Sequence, residues 1–68
     1  MFAVASSSIT AAGYDRARHA LRLRYIGGGT YDYLDVPESV FQALLDAPSK
    51  GQFVNWYIKP RYHYTRLN

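Results

Sequence analysis

The sequence predicts a small α+β domain, an antiparallel β-meander with two short α-helices packed on one face of its sheet. The 68 residues are enough for one domain, over residues 1–68, and 49% of them are hydrophobic, which is ample for a core. Apolar and polar residues alternate in stretches up to Val36, as in half-buried strands, whereas beyond Pro37 the apolar residues recur at helical spacing. Strands and helices are therefore segregated along the chain.

Three strands are predicted ahead of the helices. Residues 7–11 alternate weakly and predict a first strand, and residues 13–15 predict the turn that ends it. The alternation is clear over residues 20–26, and residues 30–36 are rich in β-branched and aromatic side chains. The three glycines at 27–29 supply the backbone freedom of a hairpin loop between these two strands.

Prolines delimit two helices in the second half of the chain. Pro37 suits the first turn of a helix, which Pro48 ends. Ser49, with a glutamine three residues later, matches a capping box and predicts the start of a second helix. Pro60 ends that helix, and the alternating residues 61–67 predict a closing strand. The predicted core consists mainly of Leu21, Leu23, Leu34, Val36, Phe41, Leu44, Phe53, Val54, Tyr57 and Ile58.

Composition and spacing argue against several kinds of chemistry. The chain has no cysteine, which excludes a disulfide scaffold, a thiolate metal site and a cysteine nucleophile. His19 and His63 lie far apart, and Asp32 and Asp35 fall on opposite faces of their strand, so no metal-ligand spacing or carboxylate pair is present. The first twelve residues lack the basic run and sustained apolar stretch of a signal peptide or anchor. We therefore expect a cytoplasmic, non-enzymatic protein with no catalytic residue, metal, cofactor or membrane contact.

Charge and tyrosine content favour a binding role. Eight Lys and Arg residues stand against five acids, so the net charge is +3, which favours contact with polyanions. The chain also has seven tyrosines. A tyrosine combines a flat apolar ring with a hydroxyl group, so it serves both half-buried sheets and binding faces.

The hairpin at the glycines can close in two registers, and the register decides which surface the tyrosines occupy. With a four-residue loop, Arg24 faces Tyr33, and Arg22 faces Asp35. Tyr31 and Tyr33 then share the outer face of the sheet with the two arginines. This register separates apolar from polar residues more completely, and it is the one we predict.

The alternative register has a three-residue loop. It pairs Leu23 with Tyr33 and Tyr25 with Tyr31. Tyr31 and Tyr33 are then buried, and their role is packing in the core.

Two groups of residues are candidate nucleic-acid-binding surfaces, because unpaired bases stack on aromatic rings while Arg and Lys neutralise phosphates. The first group, the sheet platform, is Arg22, Arg24, Tyr31 and Tyr33. The second group, the basic tail, is Lys59, Arg61, Tyr62, Tyr64 and Arg66. The structural alternative for the sheet platform is a solvated sheet face with a cross-strand ion pair. The alternative for the basic tail is a last strand whose basic residues protect an exposed sheet edge.

Several motifs in a fixed order carry a family resemblance. Tyr31-Asp32-Tyr33 is a Tyr-x-Tyr motif, and Val36-Pro37 follows it closely. Residues 47–55 have the pattern Ala-x-Ser-x-Gly-x-aromatic-x-Asn. In this order, over nearly the whole chain, the motifs resemble the KTSC domain family. Val54 departs from the aromatic residue expected at its position, and Trp56 is expected to supply the missing bulk.

The resemblance implies a small α+β domain, of a family whose function is not established. The family is named for its place at the C-terminus of some lysyl-tRNA synthetases, it also occurs as small freestanding bacterial proteins, and RNA binding has been suggested for it. RNA is therefore the first expected partner. The alternative is a protein-interaction module or a small homodimer, in which another chain occupies the tyrosine-rich face or the open sheet edge.

Overall fold

The computed structural model describes residues 2–3, through their backbone, and residues 8–68. The described strands form one antiparallel sheet in chain order, in which each strand pairs with its sequence neighbours. The strands are β1 (Phe2–Ala3), β2 (Ile9–Asp15), β3 (Ala20–Tyr25), β4 (Thr30–Tyr33) and β5 (Tyr64–Arg66). Two helices lie between β4 and β5, namely α1 (Glu38–Asp46) and α2 (Lys50–Phe53), and α2 continues into a π-helical segment (Val54–Ile58). The predicted α+β meander is confirmed.

The core lies between one face of the sheet and the helices. Alternate residues of the strands, one side of α1 and one side of the π-helical segment bury their apolar side chains together, as the hydrophobic pattern predicts. The buried cluster is Ile9, Ala12, Leu21, Leu23, Tyr33, Val36, Phe41, Leu44, Val54 and Ile58. No helix in the described part of the chain is long and apolar enough to cross a membrane.

Local hydrogen bonds fix where the helices begin and end. Pro37 is the extended residue that precedes α1, and its carbonyl accepts a bond from the Val40 amide. The Lys50 ammonium donates to the carbonyls of Leu45 and Ala47, so it satisfies groups that the end of α1 leaves unpaired. The Ser49 hydroxyl caps α2 by accepting from the backbone amide three residues later, which confirms the predicted cap.

Several strand boundaries differ from the predicted ones. β2 continues through residues 13–15, where a turn was predicted, and the turn falls at residues 16–19 instead. The Asp15 carboxylate stabilises that turn by accepting bonds from two backbone amides within it. β4 ends before Asp35, whose φ of 56° breaks the extended conformation. Of the predicted first strand, residue 7 lies outside the described residues.

The predicted four-residue register of the β3–β4 hairpin is wrong. Arg24 pairs with Thr30, and Arg22 pairs with Asp32 instead of Asp35. The three-residue alternative places the tyrosines of β4 on the correct face. It pairs Leu23 with Tyr33, however, whereas in the structure Leu23 pairs with Tyr31, so the register differs by two residues. Gly27, at a φ of 67°, provides the positive backbone angle of the longer loop.

Candidate functional site

The register divides the predicted sheet platform between the two faces of the sheet. Residues that pair directly across strands point to the same face. Tyr31 and Tyr33 pair with Leu23 and Leu21, so both tyrosines lie on the face that the helices cover. Arg22 and Arg24 alternate with these leucines and lie on the outer face. The four residues therefore do not form one platform.

On the outer face, Arg22 forms an ion pair with the buried carboxylate of Asp32. Asp32 is only 1% exposed, and its carboxylate oxygens accept bonds from Arg22 Nε at 2.7 Å and Nη2 at 3.0 Å. A third bond comes from Arg18 Nη1 at 3.3 Å. The hydrogen bond from Arg22 is the largest influence on this carboxyl group, and it holds the pKa of Asp32 below its usual value. Arg22 therefore serves the fold of the outer face.

On the opposite face, four tyrosine rings line a concave pocket of about 400 Å³. We call it the tyrosine pocket. It lies where β3, β4 and β5 meet the hairpin loop. Its lining residues are Tyr25, Gly28, Gly29, Tyr31, Tyr33, Lys59 and Tyr64.

The four rings of the tyrosine pocket are packed against one another. The Tyr31 ring meets Tyr25 and Tyr64 edge to face, with centroids 5.4 and 5.3 Å apart, and the Tyr33 and Tyr64 centroids lie 5.7 Å apart. The rings differ in exposure, because Tyr33 is only 3% exposed whereas Tyr64 is 58% exposed. Tyr33 therefore forms a buried wall of the pocket, and Tyr64 forms an accessible one.

The hydroxyl groups of Tyr25 and Tyr33 form a hydrogen-bonded pair, with their oxygens 2.7 Å apart. Burial raises the pKa of Tyr25, and the bond to Tyr33 raises it further. Burial also raises the pKa of Tyr33, although the bond to Tyr25 acts in the opposite direction. Both hydroxyls are therefore neutral at physiological pH, and they offer the pocket hydrogen-bonding groups without a charge.

Two cations border the tyrosine pocket. Lys59 Nζ lies 5.3 Å from the ring centroid of Tyr25, and Arg66 Cζ lies 5.5 Å from that of Tyr31. Both contacts are cation–π interactions of the kind that occur at exposed sites. Within residues 8–68, no carboxylate forms an ion pair with either cation. Arg66 Nε also donates a hydrogen bond to the backbone oxygen of Asn68, so the Lys59 ammonium and the Nη groups of Arg66 are the groups that can turn to an anionic ligand.

Lys59 reaches the pocket from the end of the π-helical segment. Its backbone amide bonds to the Val54 carbonyl five residues earlier, which is the wide turn of a π-helix. The same segment leaves Trp56 62% exposed and Tyr57 47% exposed. The prediction of Tyr57 as a core residue is wrong, and Trp56 does not supply the core bulk expected from it.

Gly29 allows the C-terminal part of the chain to lie close to the hairpin. A Cβ atom at this position would lie 2.5 Å from the Asn68 carbonyl oxygen and 2.9 Å from Arg66 Nε. A contact shorter than 3.0 Å forces a shift, so only glycine permits this approach. Backbone packing at Gly29 therefore helps to hold Arg66 beside Tyr31.

The basic tail is only partly assembled at the pocket. Lys59 and Tyr64 line it and Arg66 lies over the Tyr31 ring at its border, whereas Arg61 lies over the exposed Tyr57 ring at 5.8 Å and Tyr62 packs against the core. No group of three or more metal-binding side chains is found in the described part of the chain.

Tyr25 is the pocket tyrosine that was not among the predicted site residues. It continues the two-residue spacing of Leu21 and Leu23, which indicates the core face, and the alternative register already paired it with Tyr31. Those two signals together would have identified it.

Known proteins resemble this chain over nearly its whole length, both in sequence and in structure. A KTSC domain profile matches residues 5–62. A protein from Tsukamurella paurometabola is 53% identical over 64 residues, which cover 94% of this chain and 96% of that one. The crystal structure of a KTSC domain protein from Yersinia pestis superimposes with a TM-score of 0.95 at 36% identity, over 98% of this chain and 94% of that one.

The same domain occurs within larger proteins. A lysine–tRNA ligase from Nostoc punctiforme is 36% identical over 55 residues, and these cover 81% of this chain but only 10% of the ligase. The chain thus matches a small part of the ligase, whereas it matches the Tsukamurella and Yersinia proteins over nearly their whole length. Together with the profile match, these similarities show that the chain belongs to the KTSC domain family.

Proposed function

We propose that this protein is a non-enzymatic module that binds single-stranded RNA at the tyrosine pocket, with Lys59 and Arg66 contacting phosphates. The observation that carries the proposal is the meeting of four tyrosine rings with two cations that have no acidic partner among the described residues. Aromatic rings that stack bases, bordered by Lys and Arg that track the backbone, are the usual components of single-strand recognition.

The relatives support RNA as the polyanion. The similar proteins named lysine–tRNA ligases carry a stretch that resembles this chain. Their names connect them with tRNA, so an RNA partner is consistent with the family's distribution. The net charge of +3 acts in the same direction, because it favours association with a phosphate backbone.

A charge-matched pair of variants tests the proposal. The double variant Lys59→Gln/Arg66→Gln and the single variant Arg24→Glu each lower the net charge from +3 to +1. The first removes both pocket cations, and the second changes an exposed arginine of the outer face. We expect the double variant to bind a labelled single-stranded RNA about tenfold or more weakly at low salt. Arg24→Glu should bind almost as well as the wild type.

Fluorescence anisotropy of the labelled RNA measures both affinities, and a thermal melt of each variant shows whether it is folded. Equal losses in the two variants would mean that net charge, and not the pocket, determines binding. No binding of single-stranded RNA by the wild type at low salt would refute the proposal itself.

A second candidate function is interaction with another protein chain. Trp56 and Tyr57 are exposed side by side on the π-helical segment, and β5 is an exposed edge strand. Aromatic residues and open strand edges are typical of protein interfaces. Sedimentation of the purified protein over a range of concentrations tests self-association, and a Trp56→Ala variant that remains equally associated would exclude this surface.

A further inference from the structure

The tyrosine pocket has features that indicate how an RNA strand would occupy it. Resting on the proposed function, we infer that it accepts one unpaired nucleotide of the strand, whose base stacks on Tyr64 and whose two flanking phosphates lie against Lys59 and Arg66. The base edge then faces the hydroxyl pair of Tyr25 and Tyr33. Three features of the pocket support this inference, namely its volume, the exposure of its rings and the arrangement of its polar groups.

The volume fits one nucleotide. At about 400 Å³, the pocket lies near the lower end of the range of small-ligand sites, roughly 300–1,000 Å³. Gly28, Gly29 and Lys59 complete the lining that the four rings begin. A continuous stack of bases needs an open groove, so this shape favours a single base turned out of its strand.

Ring exposure selects Tyr64 as the stacking platform. The Tyr25 ring carries Lys59 on its face, the Tyr31 ring carries Arg66, and Tyr33 is buried. Tyr64 is the most exposed ring of the four, with 58% of its surface accessible. A base can therefore stack on Tyr64 without displacing other protein groups.

The hydroxyl pair gives the pocket a means of contacting the edge of the base. One hydroxyl hydrogen is used between Tyr25 and Tyr33, which leaves the second hydrogen and the oxygen lone pairs for a ligand. The Watson–Crick edges of unpaired bases carry complementary donors and acceptors. Lys59 and Arg66 border the same pocket, so phosphate and base contacts can form together.

The first test compares substitutions of two exposed tyrosines. Tyr64→Ala should weaken the binding of single-stranded RNA about 5- to 150-fold, the usual effect of removing one stacking ring. Tyr64→Phe keeps the ring and should bind nearly as well as the wild type. Tyr57→Ala, which removes an exposed ring outside the pocket, is the matched control and should have little effect. A one-dimensional NMR spectrum of each variant confirms that it is folded.

The second test uses small competitors of the labelled strand. Adenosine monophosphate should displace the strand at lower concentration than ribose 5-phosphate, which carries the phosphate without a base. The strand itself should bind more tightly than the free nucleotide, because it makes further phosphate contacts. If the free nucleotide binds as tightly as the strand, the assignment of the pocket to a strand is wrong.

The inference and the proposed function can fail separately. If the strand binds and Lys59→Gln/Arg66→Gln weakens it, but Tyr64→Ala binds normally, the proposed function stands and the single-base inference is overturned. Equal competition by ribose 5-phosphate and adenosine monophosphate would also overturn the inference. If the wild type binds no strand at low salt, both are refuted.

Discussion

Asp32 is the residue on which the outer face of the sheet depends. Its carboxylate is almost fully buried and receives three bonds from Arg22 and Arg18. A buried carboxylate is tolerated only when it is paired and hydrogen-bonded in this way. The two arginines therefore hold Asp32 in place, and a substitution at Arg22 would affect folding as well as any ligand. For this reason Arg24 is the cleaner probe of the outer face.

Asp32 should also make the stability of the protein depend on pH. The folded-state pKa of Asp32 lies below its usual value of 3.8, so its contribution is present at neutral pH and is lost as the pH falls through the folded pKa. Asp32→Asn should lower the free energy of unfolding by about 1–3 kcal/mol at pH 7. Urea unfolding at several pH values should show this difference shrinking below about pH 4. A constant difference down to pH 2 would contradict the assigned role.

At the scale of elements, the glycine hairpin joins the fold to the tyrosine pocket. It connects the strands that contribute Tyr25 and Tyr31, and at Gly29 it packs against the residues that follow β5. Gly27 and Gly29 serve different purposes. Gly27 supplies a positive φ with open space around it, whereas Gly29 supplies room for the chain near Arg66.

This difference predicts that alanine at Gly29 affects RNA binding, whereas alanine at Gly27 affects stability. Gly29→Ala should displace Arg66 and weaken RNA binding several-fold, because its Cβ would lie within 3 Å of Arg66 and Asn68. Gly27→Ala should lower the free energy of unfolding by about 1–2 kcal/mol, through the strain of a left-handed alanine, and should leave binding unchanged. Anisotropy and urea unfolding measure the two effects. Binding that falls equally in both variants would contradict the separate roles.

The hairpin is also where prediction from the sequence was limited. The order of strands and helices, the Ser49 cap and most of the core follow from alternation, helical spacing and turn residues. The register does not, because a run of three glycines permits several loops. The burial of Asp32 beneath arginines is a tertiary effect, and it is missed when charged residues are assumed to be exposed. The exposure of Tyr57 likewise reflects the π-helical turn, which the helical spacing did not indicate.

At the scale of the whole molecule, the positive charge is distributed unevenly. Arg16, Arg18 and Arg22 form ion pairs with acids, and Lys50 is engaged at the end of α1. Lys59, Arg61 and Arg66 instead contact tyrosine rings and have no acidic partner in the described part of the chain. Lys59 and Arg66 therefore make the surroundings of the tyrosine pocket positively charged.

The salt dependence of RNA binding tests this account most directly. Two phosphates neutralised by Lys59 and Arg66 predict that the logarithm of the association constant falls with the logarithm of salt concentration at a slope of about −1.4 for a single strand. The slope should approach zero in Lys59→Gln/Arg66→Gln and stay near −1.4 in Arg24→Glu. A slope that is unchanged in the double variant, or near zero in the wild type, would contradict the proposal that these two cations hold the strand.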